Sequence, residues 1–565
     1  MKTMADLKTL LLSMDHRGYP AYKETKGCYQ FNGFLLEIEH VQSDPFAPPS
    51  RLRLWIPKEQ AAFPEECYHT FVKRIALQDY ILRAFGRKLH SCSSHARGSG
   101  KSGQFSVSRC GQEVLERTAC SVRPDGSIQI RMAAGFPARG RTILSGELVE
   151  MLFEMLPPCV EACRYANLDQ KQLKAVLELA EDQEAVRQQL PALGLCAFIA
   201  NGSILPRESG VSQLPLKSAV PFQSPPSLET ALKLPHAGLI KGMGIWQGVT
   251  LVVGGGFHGK STLLRALEAG VYNHKLGDGR EFVITDASAV KIRAEDGRSI
   301  KNDDISVFIQ NLPGGKNTSH FSTGDASGST SQAANTVEAM EAGSSLFLID
   351  EDTCATNFMV RDALMQQVVH PEEEPIIPFL NRVHALYETQ GISTVLVAGS
   401  SGLFFHPADI IIQMDHYIPK EITKAAKQAA QQFPILEVSQ KGFPLPSFRR
   451  CPKKNPVLKD SRMRVKGLGL DGVELEKERI DLRLVEQIVD GEQAAALGWM
   501  LKYAEQHLFD GKRTLQEIIS FLMGLVSEGG LEKLSETGDI PSGLAMPRPQ
   551  EVFACFNRYR GLGLE

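Results

Sequence analysis

The sequence predicts an α/β protein: a core of strands alternating with helices, an α+β region before it and a mainly helical region after it. Three observations carry that reading. Short β-branched or apolar runs at 250–253, 282–285, 346–349 and 394–398 suit strands buried on both faces of a largely parallel sheet. Helical patterns separate several of them, which favours layered α/β architecture. Before residue 205, strand-like stretches at 30–41 and 126–132 mix with helix-like ones at 148–156 and 169–189, whereas beyond 436 the patterns at 482–506 and 514–528 are amphipathic helices.

The 565 residues, at about 150 per domain, leave room for three or four domains. Residues 1–205 form the first expected domain. A Pro- and Ser-rich connector follows at 206–234, then the core at 235–435 and a C-terminal domain at 436–565. No internal repeat of fixed period is present. Hydrophobic residues at 43% and charged residues at 22% exclude wholesale disorder. Lys plus Arg (62) nearly balance Asp plus Glu (65), so any contact with nucleic acid must come from a local patch. No apolar run approaches the ~18 residues of a membrane-spanning helix, and the N-terminus has no small-residue cleavage site. A soluble, cytoplasmic protein is expected, with no membrane partner. Eleven cysteines lack any C-x-x-C pair, as reduced thiols do.

The most informative motif is Gly254-Gly255-Gly256-Phe257-His258-Gly259-Lys260-Ser261, which fits G-x-x-x-x-G-K-[ST]. It follows a strand pattern directly and precedes the helical run Thr262-Leu-Leu-Arg-Ala-Leu, the context the motif requires. Glycines let backbone N–H groups close around phosphate oxygens, and the helix N-terminus adds its positive dipole end. Residues 254–262 are therefore the nucleotide-binding candidates, Lys260 reaching the β- and γ-phosphates and Ser261 offering a hydroxyl to Mg²⁺. Gly98-Ser99-Gly100-Lys101-Ser102 also contains G-K-S, but His95 stands where the first glycine is needed; it reads as a flexible basic loop.

The apolar run 346–349 ends in Asp350-Glu351, two carboxylates at the carboxyl edge of the sheet. Asp350 suits Mg²⁺, and Glu351 suits the orientation and deprotonation of an attacking water.

A third element, Ala326-Ser327-Gly328-Ser329-Thr330, opens a helical run just before that strand. Small residues and a serine hydroxyl at a helix N-terminus face an anion with free N–H groups. With these three elements the sequence resembles the ATP-binding-cassette ATPases. The resemblance implies that Ser327, Gly328 and Ser329 act as the signature, which binds the γ-phosphate held by the opposite subunit. Gln310, after a strand-like run at 306–309, resembles the Q-loop glutamine that senses Mg²⁺ and the attacking water. Residues 353–357 stand at the D-loop. Gly399-Ser400-Ser401 stands where cassette transporters carry a switch histidine, so hydrolysis would lean on Glu351 or be slow.

The phrases GGGFHGKSTLLRALEAGVYNHKLGDGRE, KIRAEDGR, ASGSTSQAAN and DEDTCATNFMVRD, with GFPARGR and ILPRESGVS upstream, are similar to the family called predicted ATPase of the ABC class. A kinetoplastid mitochondrial branch of it is associated with RNA binding and editing. The resemblance implies ATP and Mg²⁺ as cofactors. It also implies a head-to-tail homodimer in which ATP bridges Lys260 and Ser261 of one copy to Ser327 and Gly328 of the other. Arg293 and Glu295 read as a structural ion pair. The pattern assigns no aromatic to the base.

Two basic stretches are the candidates for a partner. The first is 448–466, with Arg449, Arg450, Lys453, Lys454, Arg462 and Arg464; the second holds Arg83, Arg87, Lys88, Arg97, Lys101 and Arg109 in or beside a Gly/Ser loop. Local positive charge suits a phosphate backbone, RNA first among nucleic acids. Without an aromatic ladder, sequence-specific readout is not expected. An ATP-switched scaffold for a protein complex and a nucleotide-binding module with little hydrolysis are the competing readings.

Overall fold

The structure is a computed structural model that describes residues 2–92, 98–312, 314–361, 374–433, 443, 445–458, 463–536 and 540–564. The chain divides into two compact units, 1–181 with 530–546 and 182–529 with 547–565.

The first unit is built on a seven-stranded, mostly antiparallel sheet. Its central strands are β1 (Gly27–Phe31), β2 (Phe34–His40) and β3 (Ser50–Ile56). Helix α1 (Phe71–Cys92) comes next, and strand β4 (Ile128–Ala134) pairs with β3. Alternation does the work here: Leu52, Leu54 and Ile56 of β3 are buried while the residues between them are not, because successive side chains leave opposite faces of a strand. The stretch 30–41 is two strands, not one. They turn at Asn32-Gly33, with Phe31 opposite Phe34, the dipeptide that favours a tight hairpin. Helix α1 lays Leu77, Ile81, Phe85 and Leu89 into the same core as the sheet. It runs through 87–88, so Arg87 and Lys88 are helical rather than in a loop. Residues 530–546 return to this unit, where Thr118 and Leu544 exchange hydrogen bonds of 2.9 Å.

The chain passes to the second unit within helix α2 (Gln170–Ala192). Strands β5 (Leu195–Ala200), β6 (Glu229–Leu234), β7 (Gly238–Trp246), β8 (Val249–Val253) and β9 (Val283–Thr285) follow, with helix α3 (Lys260–Ala269) after β8. Strands β6, β7, β5 and β9 form an antiparallel sheet in that order. The 282–285 run therefore belongs to this sheet and not to the parallel one; β9 pairs with β5 from Ala197 to Ile199. The 206–234 stretch carries a hairpin, Arg207–Ser209 with Ser212–Pro215, and then β6.

The parallel sheet contains β10 (Val290–Ile292), β11 (Leu346–Asp350), β12 (Ser393–Val397), β13 (Ile410–Asp415) and β14 (Ile418–Glu421) together with β8. Its order is β10-β11-β12-β8-β13-β14, all parallel except the last pair. Every residue of β11 and β12 is buried, as two covered faces require. Helix α4 (Gly328–Glu341) precedes β11. Residues 306–308 form a turn, with Ile309 in a single bridge to Ile376. The apolar run there is short because its Val307 and Phe308 fill the core and do not extend a sheet.

The C-terminal part adds a three-stranded antiparallel ribbon, β15 (Val465–Gly467), β16 (Gly472–Leu475) and β17 (Glu478–Asp481). Helices α5 (Gly491–His507), α6 (Leu515–Gly529) and α7 (Pro549–Arg558) follow. Helix α5 starts at 491 rather than 482, because Asp490 caps it in a reciprocal box with Gln493. The preceding strap is tied to the core by Gln487, whose amide donates to the carbonyls of Glu268 (3.2 Å) and Ala289 (3.1 Å).

Helix α4 is buried yet polar, and its partners are charged. Arg298 meets Glu338 at 2.5 Å and also Asn335. Arg450 pairs with Glu341, and Arg558 with Glu295. Burial pushes Glu341 above the usual carboxylate range and outweighs Arg450. Against the same penalty, Arg558 and Arg298 hold Glu295 low. Beside them Asp303, 2% exposed, is pushed up to about 8 by burial, with Arg450 opposing. Its ordinary value is 3.8. Between those two values the native chain keeps a proton that the unfolded chain has lost, so stability falls as pH rises from about 4 to about 8, at up to ~1.4 kcal/mol per pH unit. Asp303→Asn removes that contribution to the slope, while buried Glu341 keeps its own. Urea midpoints at about pH 5 and pH 8 should therefore lie closer together in the variant than in the wild type.

Candidate functional site

The phosphate-loop motif lies where β8 leaves the sheet and α3 begins. Gly254, at φ +144°, would bring a Cβ to 2.4 Å from the carbonyl oxygen of Met414 on β13. Gly259, at φ +98°, would bring one to 2.7 Å from the ring of Tyr417. Both positions combine a left-handed backbone with no room for a side chain, so glycine is required twice over. Lys260 folds back over the loop, its Nζ donating to the carbonyls of Gly254 (2.6 Å) and Gly255 (3.0 Å). Ser261 is exposed at the first turn of α3, Thr262 is half-buried beside it, and Phe257 is wholly exposed.

Three strand ends meet at this edge. Val252 of β8 and Asp350 of β11 are both level with Val397 of β12. With ~4.8 Å between neighbouring strands, the backbone of Asp350 stands roughly 10 Å from the strand that carries the loop. Asp350 accepts from the amide of Asp352 at 3.2 Å. Glu351 reaches across to the end of β12. Its Oε2 accepts the amides of Gly399 (2.7 Å) and Ser400 (3.0 Å), and its Oε1 accepts the Ser400 hydroxyl (2.9 Å). Ser400, within the 399–401 stretch expected at the switch position, thus binds the acidic residue directly, a contact the sequence pattern did not suggest.

Gln310 is held by its own loop: its Nε2 donates to Ser306 (2.9 Å) and its backbone amide to Pro375 (2.7 Å). Among the described residues its Oε1 accepts no hydrogen bond. Ser327 is the N-cap of α4, its Oγ 2.9 Å from that of Thr330. Gly328 sits close to Asp296 and Ala355, and Ser329 donates to Asn357 at 2.5 Å. The 353–357 segment therefore lies against the start of α4. Among the described residues no hydrogen bond or ion pair joins 326–330 to the phosphate loop of the same chain.

Several basic candidates are corrected by their surroundings. Arg450 is buried in its pair with Glu341 and cannot meet a partner. Arg83 is spent on Asp79, at 2.6 Å. Arg449, Lys453, Lys454, Arg464, Arg87, Lys88 and Arg109 are exposed, and Lys101 is half-buried. Arg97 and Arg462 lie outside the described residues. Arg293 and Glu295 do not pair with each other: Arg293 meets Glu486 at 2.6 Å, and Glu295 meets Arg558. The 98–102 turn is anchored by the amides of Ser99 to Ala138 (2.7 Å) and Lys101 to Pro45 (2.9 Å); it opens no helix.

The β13–β14 turn was missed in the sequence. It is a two-residue hairpin turn, His416-Tyr417, that lacks the Asn or Gly such turns favour. It packs on the loop, the Tyr417 amide donating to the carbonyl of His258 (3.1 Å) and the His416 amide to its Nδ1 (3.0 Å). His258, Asp415 and His416 bring three ligand-type atoms within 4.8 Å. However, His258 Nδ1 already accepts an amide, and Asp415 is already paired with Lys420 at 2.6 Å.

Three family models match the chain in succession. The model described as ATPase of the ABC class N-terminal covers residues 4–167, the ABC-ATPase P-loop domain 169–448, and the MRB1590 C-terminal domain 464–565. The chain belongs to the ATPases of the ABC class. An uncharacterized protein, MJ1628 of Methanocaldococcus jannaschii, is 35% identical over 192 residues, which is 32% of this chain and 43% of that relative's length. Among solved structures, the ADP conformation of MJ1267, an ATP-binding cassette of an ABC transporter, is 11% identical, with 42% of this chain and 96% of that one covered at TM-score 0.25. A bacterial Atm1-family ABC exporter with ATP bound is 13% identical over 52% of each chain, at TM-score 0.24. No helix among the described residues is long and apolar enough to cross a membrane.

Gly254→Ala tests the packing of the loop. The left-handed backbone and the clash with Met414 should together cost on the order of 1–3 kcal/mol, read as a lower midpoint in thermal or urea unfolding.

Proposed function

We propose that this chain binds ATP with Mg²⁺ at residues 254–262, hydrolyses it, and couples the cycle to clamping a nucleic acid, RNA first. One observation carries the reading: the phosphate loop, the Asp350-Glu351 pair and the Gly399-Ser400 turn leave one edge of one parallel sheet.

In this reading the loop amides and the N-terminus of α3 hold the phosphates. Lys260 exchanges two neutral carbonyls for charged phosphate oxygens, which make the stronger hydrogen bonds. The Ser261 hydroxyl, the Asp350 carboxylate and the Oε1 of Gln310 are oxygen donors of the kind a hard cation takes, so the residues fit Mg²⁺. When bound, that ion neutralises charge developing on the β- and γ-oxygens. Glu351 orients and deprotonates the water, and Ser400 positions Glu351 in place of an imidazole.

The signature residues Ser327, Gly328 and Ser329 make no bond to their own phosphate loop, which supports a site completed by a second copy in a head-to-tail homodimer. In the second unit exposed Arg449, Lys453, Lys454 and Arg464, and separately in the first Arg87 and Lys88 on α1, supply positive charge for a phosphate backbone. The match to the MRB1590 C-terminal domain and the family's RNA-associated branch point the same way. A second reading, a nucleotide-switched module with slow turnover, draws support from the three donors that occupy Glu351.

The test is ATP hydrolysis by wild type and Glu351→Gln, with and without single- and double-stranded RNA and DNA, at two salt concentrations. Turnover should fall about 10²-fold or more in the variant, the contribution of a positioned general base. RNA should stimulate the wild type, and its binding should weaken steeply with salt. Equal background turnover in both proteins selects the slow module. Salt-insensitive binding with no stimulation removes nucleic acid as the partner.

A further inference from the structure

Tyr417 and Phe257 are aromatic side chains at the phosphate loop that no part of the reading above employs. Tyr417 occupies the second position of the β13–β14 turn, with φ +68°; His416 before it has φ +49°. Left-handed backbone costs an ordinary L-residue roughly 1–2 kcal/mol, and two such residues in succession replace the Asn-Gly that would form this turn without strain. Strain of this kind persists where the surrounding structure over-determines it, and it gathers at ligand sites.

The surroundings here do so. The His258 carbonyl and Nδ1 accept the amides of Tyr417 and His416. The two imidazoles meet edge to face at 4.7 Å, and Lys420 holds Asp415 at 2.6 Å. The Tyr417 ring is thereby set over the backbone of Gly259, close enough that any Cβ there would strike it. Gly259 is the residue from which α3 springs.

For all that anchoring, Tyr417 is 44% exposed. Ile418 beside it is 45% exposed, and Phe257 within the loop is 100% exposed. Scattered apolar residues on a surface need no explanation. Here three exposed apolar residues, two of them aromatic, lie on the phosphate loop and on the turn that packs against it. The ligand that brings both a phosphate chain and a flat apolar face to one place is a nucleotide.

We propose that the Tyr417 ring is the stacking platform for the base of the bound nucleoside triphosphate, with Phe257 as an apolar wall. The inference rests on the phosphate-site reading above and adds its base-contacting residue. Stacking uses the π-face that every base has, so this platform discriminates little between adenine and guanine.

The experiment is calorimetric titration of the full chain with Mg-ATP, Mg-GTP and Mg-tripolyphosphate, which has no base. Tyr417→Asn is the main variant, because asparagine tolerates the left-handed turn and keeps the fold. Tyr417→Phe retains the ring. Loss of a stacked base weakens binding by roughly 5- to 150-fold. Tyr417→Asn should therefore lose that much affinity for ATP and for GTP, hold tripolyphosphate unchanged, and be restored by Tyr417→Phe. Unaltered ATP affinity in Tyr417→Asn, or an equal loss for ATP and tripolyphosphate, overturns the platform. Failure of the wild type to bind either ligand overturns the phosphate-site reading instead.

Discussion

Parallel pairing of β8, β12 and β11 is the constraint on which the site depends. Because the three strands run the same way, the glycine loop, the Gly399-Ser400 turn and the Asp350-Glu351 pair leave the sheet at one edge. The central strand β12 keeps the loop and the carboxylates apart by about two strand spacings and lends its own end to Glu351. An all-parallel arrangement needs both faces covered. That need explains why these strands are nearly unbroken apolar runs and why the helices between them exist. The chemistry at the edge and the hydrophobic burial of the sheet are thus one arrangement.

Helix α4 answers a different constraint. Its N-terminus carries small residues and hydroxyls, and its body buries charged Glu338 and Glu341 beside the apolar Ala333, Ala334 and Val337. Arg298, Arg450 and Arg558 satisfy Glu338, Glu341 and Glu295, and two of those arginines come from the C-terminal third of the chain. Buried pairs of this kind seldom add stability over a hydrophobic equivalent, but breaking one is expensive. They hold α4 in one register, and Gln487 ties the C-terminal strap to the end of α3. The helices at both ends of the proposed composite site are therefore anchored to C-terminal residues.

Much of the site was legible because its motifs are local. The strand–loop–helix at 249–269 and the carboxylates at 350–351 are read from consecutive residues, and the cap at Ser327 from its helix. Where sequence reasoning slipped, the cause was tertiary. The 282–285 run has the composition of a buried parallel strand, yet its partner is antiparallel β5. Residues 306–309 look extended but turn to place Phe308 in the core. Arg450 stands in a basic run, yet only the fold brings Glu341 to it. The His416-Tyr417 turn escaped notice because neither residue is a usual turn former; its strain is balanced by contacts with a loop more than 150 positions earlier.

The sequence by itself determined the layered α/β core, the glycine cradle with Lys260 and Ser261, and the acidic pair, since each depends on neighbours within a turn or a strand. Tertiary structure alone decided which charges are buried in pairs, which are exposed, what holds Glu351, and which aromatic stands beside the phosphate loop. Those outcomes follow from long-range packing, where a side chain's role is set by residues far away along the chain that come within a few ångströms of it.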